Sequence, residues 1–326
     1  MKTESSAQKL VAHFIITTLC LVNFIHAQTV STPVVGFQTR QVSAGSLAVL
    51  SAPFTDAVVT ATVLSGTTSS VTLNQSGLGS LFNSTDPIYL EVLSGSNEGE
   101  RYDISLTGIT SATDTLTVST GSANNTSSFS GSALANARVA VRKHTTLNSL
   151  KSSFSPALKT GSSATVADAV SVFSSGAWTP YYVDSTGNWK RSGSLSTFNN
   201  LVIPPGSAVM FKRNDTSTTT FTVTGQVRGT KFAKNYKTGL SVYAPGFPVA
   251  YSPNTMGANA AGGWQTGDAI YVLSGSAFVT YTYNGTNWRR SGQLTNFDNS
   301  LLLTSDSGIL VRKATASNVS ETSPVN

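Results

Sequence analysis

The chain of 326 residues carries 21 lysines and arginines against 15 acids, a formal net charge of +6, yet only 11% of it is charged, against about 25% in ordinary domains. The basic balance reflects scarce charge, not a dense basic patch, which argues against nucleic acid as a partner. One cysteine and three histidines leave little material for thiol, zinc or histidine chemistry.

Lys2 and Lys9 precede an almost uncharged run over residues 10–25 that reaches a small residue at Ala27. This is the pattern of a secretory signal peptide, residues 1–27, cleaved to leave Gln28. His13, Thr17, Thr18 and Asn23 interrupt the run and no stop-transfer charges follow, so no stable transmembrane span is expected after cleavage. The mature chain then has no cysteine, one histidine (His144) and a charge of 19 minus 14, or +5. An exported protein without disulfides must be held by its core and by backbone pairing.

Serine and threonine exceed a quarter of the residues, beside 27 glycines and many valines and tyrosines. That composition predicts an all-β fold of antiparallel sandwich or barrel-like units joined by tight turns, with no amphipathic helix of three turns. In the first half, residues 28–146 read as one β domain. Its segment Gly45 to Phe54 has the look of a buried strand ended by proline, and Gly239 to Phe247 echoes it. Residues 86–96 and 137–143 echo the hairpin strand and the closing strand of the repeat in the second half, so a third, decayed copy here, and one elongated three-unit array in place of two domains, fit the sequence equally; residues 124–132 suggest a flexible loop. A boundary is expected at 146/147, where residues 147–158 lack a clear period.

The second domain, 147–313, holds an internal repeat, about 160–213 and 262–313. Ala167 to Trp178 matches Gly267 to Phe278, and Gly187 to Leu195 matches Thr286 to Leu294 after a one-residue gap. Phe198 and Asn200 pair with Phe297 and Asn299, and both copies close on a basic pair, Lys212-Arg213 and Arg312-Lys313. Alternation at Val170, Val172 and at Ile270, Val272 predicts a first strand, with Val279, Tyr281 and Tyr283 on one face of the next. Asn284-Gly285 is a hairpin signal because both central turn residues favour positive φ. Residues 314–326 read as a polar tail.

Pro33 to Phe37, Tyr89 to Gly95 with Asn97 to Asp103, Arg142 to Leu147 and Ala244 to Pro248 together resemble an uncharacterised family of exported, β-rich bacterial proteins. The resemblance spans nearly the whole mature chain and implies export, β structure and several related copies per genome. It implies no activity, ligand or catalytic residue.

The catalytic inventory is poor. A Ser-His-Asp triad would have to use His144, which sits in a basic run with no nucleophile-elbow glycines, and no zinc site can be assembled. Glu98, Glu100 and Asp103 beside Arg101 offer a glycosidase-like acid pair or a calcium site, or more simply a solvated hairpin tip. Asp168 and Asp268 occupy matched places before strands, where capping a turn is the expected job.

The repeated aromatics and arginines are the candidate binding residues: Trp178, Tyr182, Trp189 and Arg191 in one copy, Tyr281, Tyr283, Trp288 and Arg290 in the other. Exposed, they would offer flat faces to sugar rings; buried, they would fill the core. Each arginine lies two residues beyond its tryptophan, so stacking on it is expected. The leading reading is a non-enzymatic exported cell-envelope or extracellular protein, structural or adhesive, needing no cofactor or metal. Its expected partners are itself or cell-surface polysaccharide. A pair of carbohydrate-binding modules is the alternative, and an extracellular glycosidase or lyase the third reading.

Overall fold

The computed structural model describes residues 34–324 apart from 56, 83, 84, 108 and 111; the predicted signal peptide lies outside the described residues. Strands dominate and all pair antiparallel. Among the described residues the α-helix is a single turn, Leu147–Lys151, capped by Thr146, whose side chain accepts from the Ser149 amide. No described helix is long and apolar enough to cross a membrane.

The first sheet has six strands in the order Arg101–Ile104, Ile88–Val92, Arg138–Lys143, Ala57–Gly66, Ser70–Leu73, Thr115–Thr117. Register shifts between Ala57 and Val59 and between Val63 and Ser65 bend its longest strand. A bridge from Ile104 to Val118 draws the two edges together, so the sheet curls into a half-barrel. Its concave side is filled from alternate strand positions by Val63, Val71, Leu90, Val92, Leu116, Val139 and Val141.

Two five-stranded sheets follow. One runs Trp189–Arg191, Ala177–Val183, Ala169–Ser174, Ala208–Lys212, Leu47–Ser51; the other runs Trp288–Arg290, Ala277–Tyr283, Ala269–Ser274, Ile309–Lys313, Gly239–Tyr243. Strand order is the same in both, and registers agree at matched positions: Ala169 faces Tyr182 and Lys212, Ala269 faces Thr282 and Arg312. The loop expected at Asn284-Gly285 spans four residues, with Asn284 Oδ1 accepting from the amides of Thr286 and Asn287. Asp184 holds the corresponding loop through the amides of Thr186 and Asn188.

Pairing distant in sequence redraws the expected organisation. Val35–Val42 pairs along its length with Thr219–Gln226, and Leu47–Ser51 pairs with Ala208–Lys212. The first strands assigned to a domain ending at 146 therefore complete sheets built by later residues, and Val35–Asn326 is one compact unit. Within the expected polar tail 314–326, the described residues 314–324 are not loose. Ser317–Glu321 forms a strand with Phe232–Tyr236, and its inward positions lead to a buried Glu321. Such non-local partners leave no periodic signal in either segment alone.

Each five-stranded sheet covers its own core, one around Trp189, Phe211 and Phe221, the other around Trp288, Tyr243 and Ile309. Replacing either Trp189 or Trp288 by alanine should cost about 3–5 kcal/mol, the usual range for emptying a buried aromatic site. Urea unfolding should show two similar losses; a change below about 1 kcal/mol would mean the ring is not a core element.

Candidate functional site

The repeated aromatics lie largely inside. Trp189 and Trp288 are fully enclosed, and Tyr182, Tyr281 and Tyr283 are also buried. Trp288 Nε1 donates to the Ala258 carbonyl at 2.6 Å, and Trp264 meets its ring edge-on at 5.1 Å. Trp178 is half-buried against Phe173, 5.2 Å between centroids. A ring packed on both faces has none left for a sugar. Arg191 and Arg290 are exposed, and Arg191 does not stack on its tryptophan: the strand ends there, the chain turns at Gly193, and the guanidinium lies 5.3 Å from the Phe198 ring.

The matched aspartates do more than cap. Asp168 accepts from the amides of Lys159 and Asn214 at 2.8 and 2.7 Å and from Arg213 Nη1. Asp268 accepts from the amides of Gln265 and Ala314 at 2.9 and 2.8 Å and from Lys313 Nζ at 3.0 Å. The second residue of each basic pair thus neutralises the aspartate that opens its unit, and all four side chains are buried. The sequence contained both halves of this interaction, but at a separation of 45 residues nothing local joined them.

The acids expected at an exposed hairpin tip have separate partners. Glu98 accepts from the Lys231 amide at 2.9 Å, and Glu100 accepts from Asn97 Nδ2 at 2.9 Å and from the Tyr102 hydroxyl. Asp103 accepts from Ser122 Oγ at 2.6 Å and Asn124 Nδ2 at 2.9 Å and bonds His144 Nε2 at 2.8 Å. Burial raises the Asp103 carboxyl, but His144 and these donors outweigh it, so the group lies below its ordinary value. His144 packs 4.6 Å from Tyr89, and its Nδ1 is buried with no hydrogen-bond partner. The pair has the first two members of a proton relay, but no hydroxyl bonds the second ring nitrogen. Asn124, Asn125 and Thr126 hold Asp103 and Arg101, so the expected flexible loop is tied down. Among the described residues no group of three or more His, Cys, Asp or Glu can hold a metal.

A further charged centre was not foreseen. Glu91, fully buried in the curled sheet, accepts from Arg142 Nε and from Arg228 Nε at 2.8 Å. Arg228 also donates to the carbonyls of Pro53 and Gly246 at 3.1 and 3.2 Å. Burial pushes the Glu91 carboxyl up, and Arg228, Arg142 and Arg101 together more than reverse this, leaving it below the ordinary carboxylate value. Phe232 lies between two guanidiniums, Arg101 at 3.8 Å and Arg228 at 4.9 Å from its centroid.

Beside this centre opens a cleft of about 700 Å³ lined by the curled sheet and by both five-stranded sheets. Arg101, Lys234 and Lys237 are its cations, with Asn124, Asn235 and Ser207 among its polar groups; no aspartate or glutamate lines it. Lys234 is buried, its Nζ donating to the Gly206 carbonyl and lying 3.9 Å from the Tyr243 ring centroid. Burial drags its ammonium down to about 7, Glu321 opposing the shift and Arg101 adding to it. Glu321 is itself pushed up, chiefly by burial, while accepting from Tyr243, Tyr251 and the Gly246 amide. A second cavity of about 490 Å³ is walled by His144, Tyr89, Phe54 and Phe221.

No protein-family model, curated protein or solved structure matches this chain.

Glu91→Gln should cost about 3–5 kcal/mol, because it leaves two buried guanidiniums without their carboxylate. Since the folded carboxyl is held below 4.5, its contribution is complete above that pH and disappears as pH falls through the folded value. Guanidinium unfolding at pH 7 and at pH 3 should show a gap between wild type and variant that narrows in acid. An equal gap at both would show that Glu91 does not titrate with folding.

Proposed function

We propose that this chain is a non-enzymatic exported protein of the cell envelope or extracellular space, structural or adhesive in role, and that it acts through association with other copies of itself. The observation that carries the reading is the edge strand Val35–Val42. Among the described residues it pairs only with Thr219–Gln226 in its sheet and turns Val35 (68% exposed) and Phe37 (74% exposed) to solvent. A sheet edge that carries exposed apolar side chains is a template for another strand. Leu195 and Leu294, 98% and 85% exposed at matched loops of the two five-stranded sheets, add apolar contact points.

The distribution of reactive groups supports the same reading. His144 is engaged by Asp103, the aspartates Asp168 and Asp268 hold cations, and Glu98 and Glu100 have separate partners. A glycosidase needs two acids facing across a substrate, and this acid cluster supplies no such pair. Carbohydrate binding through the repeated tryptophans loses its support with their burial.

Two measurements test the proposal. Light scattering on the purified protein should show concentration-dependent association that Phe37→Lys reduces to monomer, since a charge on an edge strand opposes sheet extension. Fractionation of cells expressing the full chain should place it at the surface or in the medium. A monomer at every concentration would overturn the assembly reading, and retention in the cytoplasm would overturn export.

A further inference from the structure

Buried cations in proteins are paired with carboxylates or other anions, because removing a charge from water without a counter-charge is costly. Among the described residues six lysines and arginines are buried. Four obey the rule: Arg142 and Arg228 share Glu91, Arg213 holds Asp168, and Lys313 holds Asp268. The other two, Arg101 and Lys234, have no carboxylate within salt-bridge distance among the described residues. Both line the same cleft.

Their own hydrogen bonds go to neutral carbonyls. Arg101 donates to Gly99 and Ala233 at 3.2 and 2.7 Å, and Lys234 donates to Gly206. Glu321, the acid that bears on Lys234, is occupied by Tyr243, Tyr251 and the Gly246 amide and does not line the cleft. Lys237, exposed at the same wall, bonds the Ala123 carbonyl at 2.6 Å and no acid among the described residues. A third cation therefore faces the space without an acid beside it. Two buried cations and one exposed one converge on a single polar opening, which is the arrangement of an anion site.

The remaining lining narrows the ligand. Asn124, Asn235 and Ser207 offer amide and hydroxyl groups, and Phe173 and Pro205 give apolar patches. A cleft of about 700 Å³ falls in the range that encloses small organic ligands. A bare inorganic ion would use only the cations. We propose that this cleft binds an acidic sugar, its carboxylate or sulfate held by Lys234, Lys237 and Arg101 and its hydroxyls by the amides and serine.

The site does not depend on the self-association proposed above, which involves the opposite resource of the molecule, an apolar strand edge. Loss of one in experiment leaves the other standing.

The test is isothermal titration calorimetry of the purified protein with glucuronate, glucose and sodium sulfate, repeated on Lys234→Met and Lys237→Ala. Glucuronate should bind and glucose should not. Each substitution should weaken glucuronate about tenfold or more, the usual loss for one charge-assisted contact. Lys237→Ala removes an exposed side chain and keeps the experiment interpretable if Lys234→Met does not fold. Burial, with Arg101 beside it and Glu321 opposing, holds Lys234 near 7 against the Tyr243 ring, so glucuronate should also bind more tightly at pH 6 than at pH 9, and Lys234→Met should flatten that difference. Sulfate binding as tightly as glucuronate would overturn the sugar assignment. Absence of glucuronate binding, or binding that neither substitution changes, would overturn the site.

Discussion

The architecture depends on where Arg228 places its guanidinium. One side chain donates to Glu91 in the curled sheet, to the Pro53 carbonyl just beyond strand Leu47–Ser51, and to the Gly246 carbonyl just beyond strand Gly239–Tyr243. Those contacts belong to the three main sheets, so a planar fork with a fixed geometry sets their spacing. Glu91 is acceptable in so buried a place only because two guanidiniums reach it. The aromatic ring of Phe232 completes the arrangement by accepting Arg101 and Arg228 on its surroundings. Close approach follows: a Cβ on Gly246 would stand 2.3 Å from that ring, so glycine is required where the third sheet meets it.

A chain this poor in charge spends a large part of it internally. Among the described residues six cations and four carboxylates are buried. The expenditure is orderly at two places, where Asp168 and Asp268 each tie the loop before a strand to the end of the closing strand. Those anchors need an acid in one segment and a base 45 residues later. They fix the register of each five-stranded sheet from its open end, where no hairpin can do so.

What was legible in the sequence was local. Alternation at Val170 and Val172 describes neighbours along the chain, and a strand forms there; the matched segments with their tryptophans and basic pairs lie in two sheets of like strand order, while Asn284-Gly285 sits in a four-residue loop with positive φ at Gly285 and not at Asn284. The sequence position of Glu91 within a strand gave no sign that its partner would be Arg228, 137 residues on, nor could residues 314–326 announce a strand whose partner, Phe232–Tyr236, is equally short and equally mixed in polarity. The spacing of two between each tryptophan and arginine predicted a shared face. Arg191 is the last residue of its strand, exposed where Trp189 is enclosed, and its guanidinium lies by the Phe198 ring instead. Periodicity specifies which face a residue takes, not which neighbour a long side chain reaches.

The same geometry that joins the three sheets also explains why a cleft survives beside the junction. Sheets that meet around a charged centre cannot close over it with apolar side chains without stranding Arg101 and Lys234, whose carbonyl partners satisfy hydrogen bonds but not charge. An unfilled polar opening lets water or an anion screen them, which lowers the cost of burying cations that lack carboxylates. Had Glu321 been placed to pair with Lys234 directly, it would have left the Tyr243 and Tyr251 hydroxyls and the Gly246 amide without an acceptor. One carboxylate cannot serve both roles. The chain uses it to hold its last strand, and the uncompensated charge is left facing solvent-accessible space.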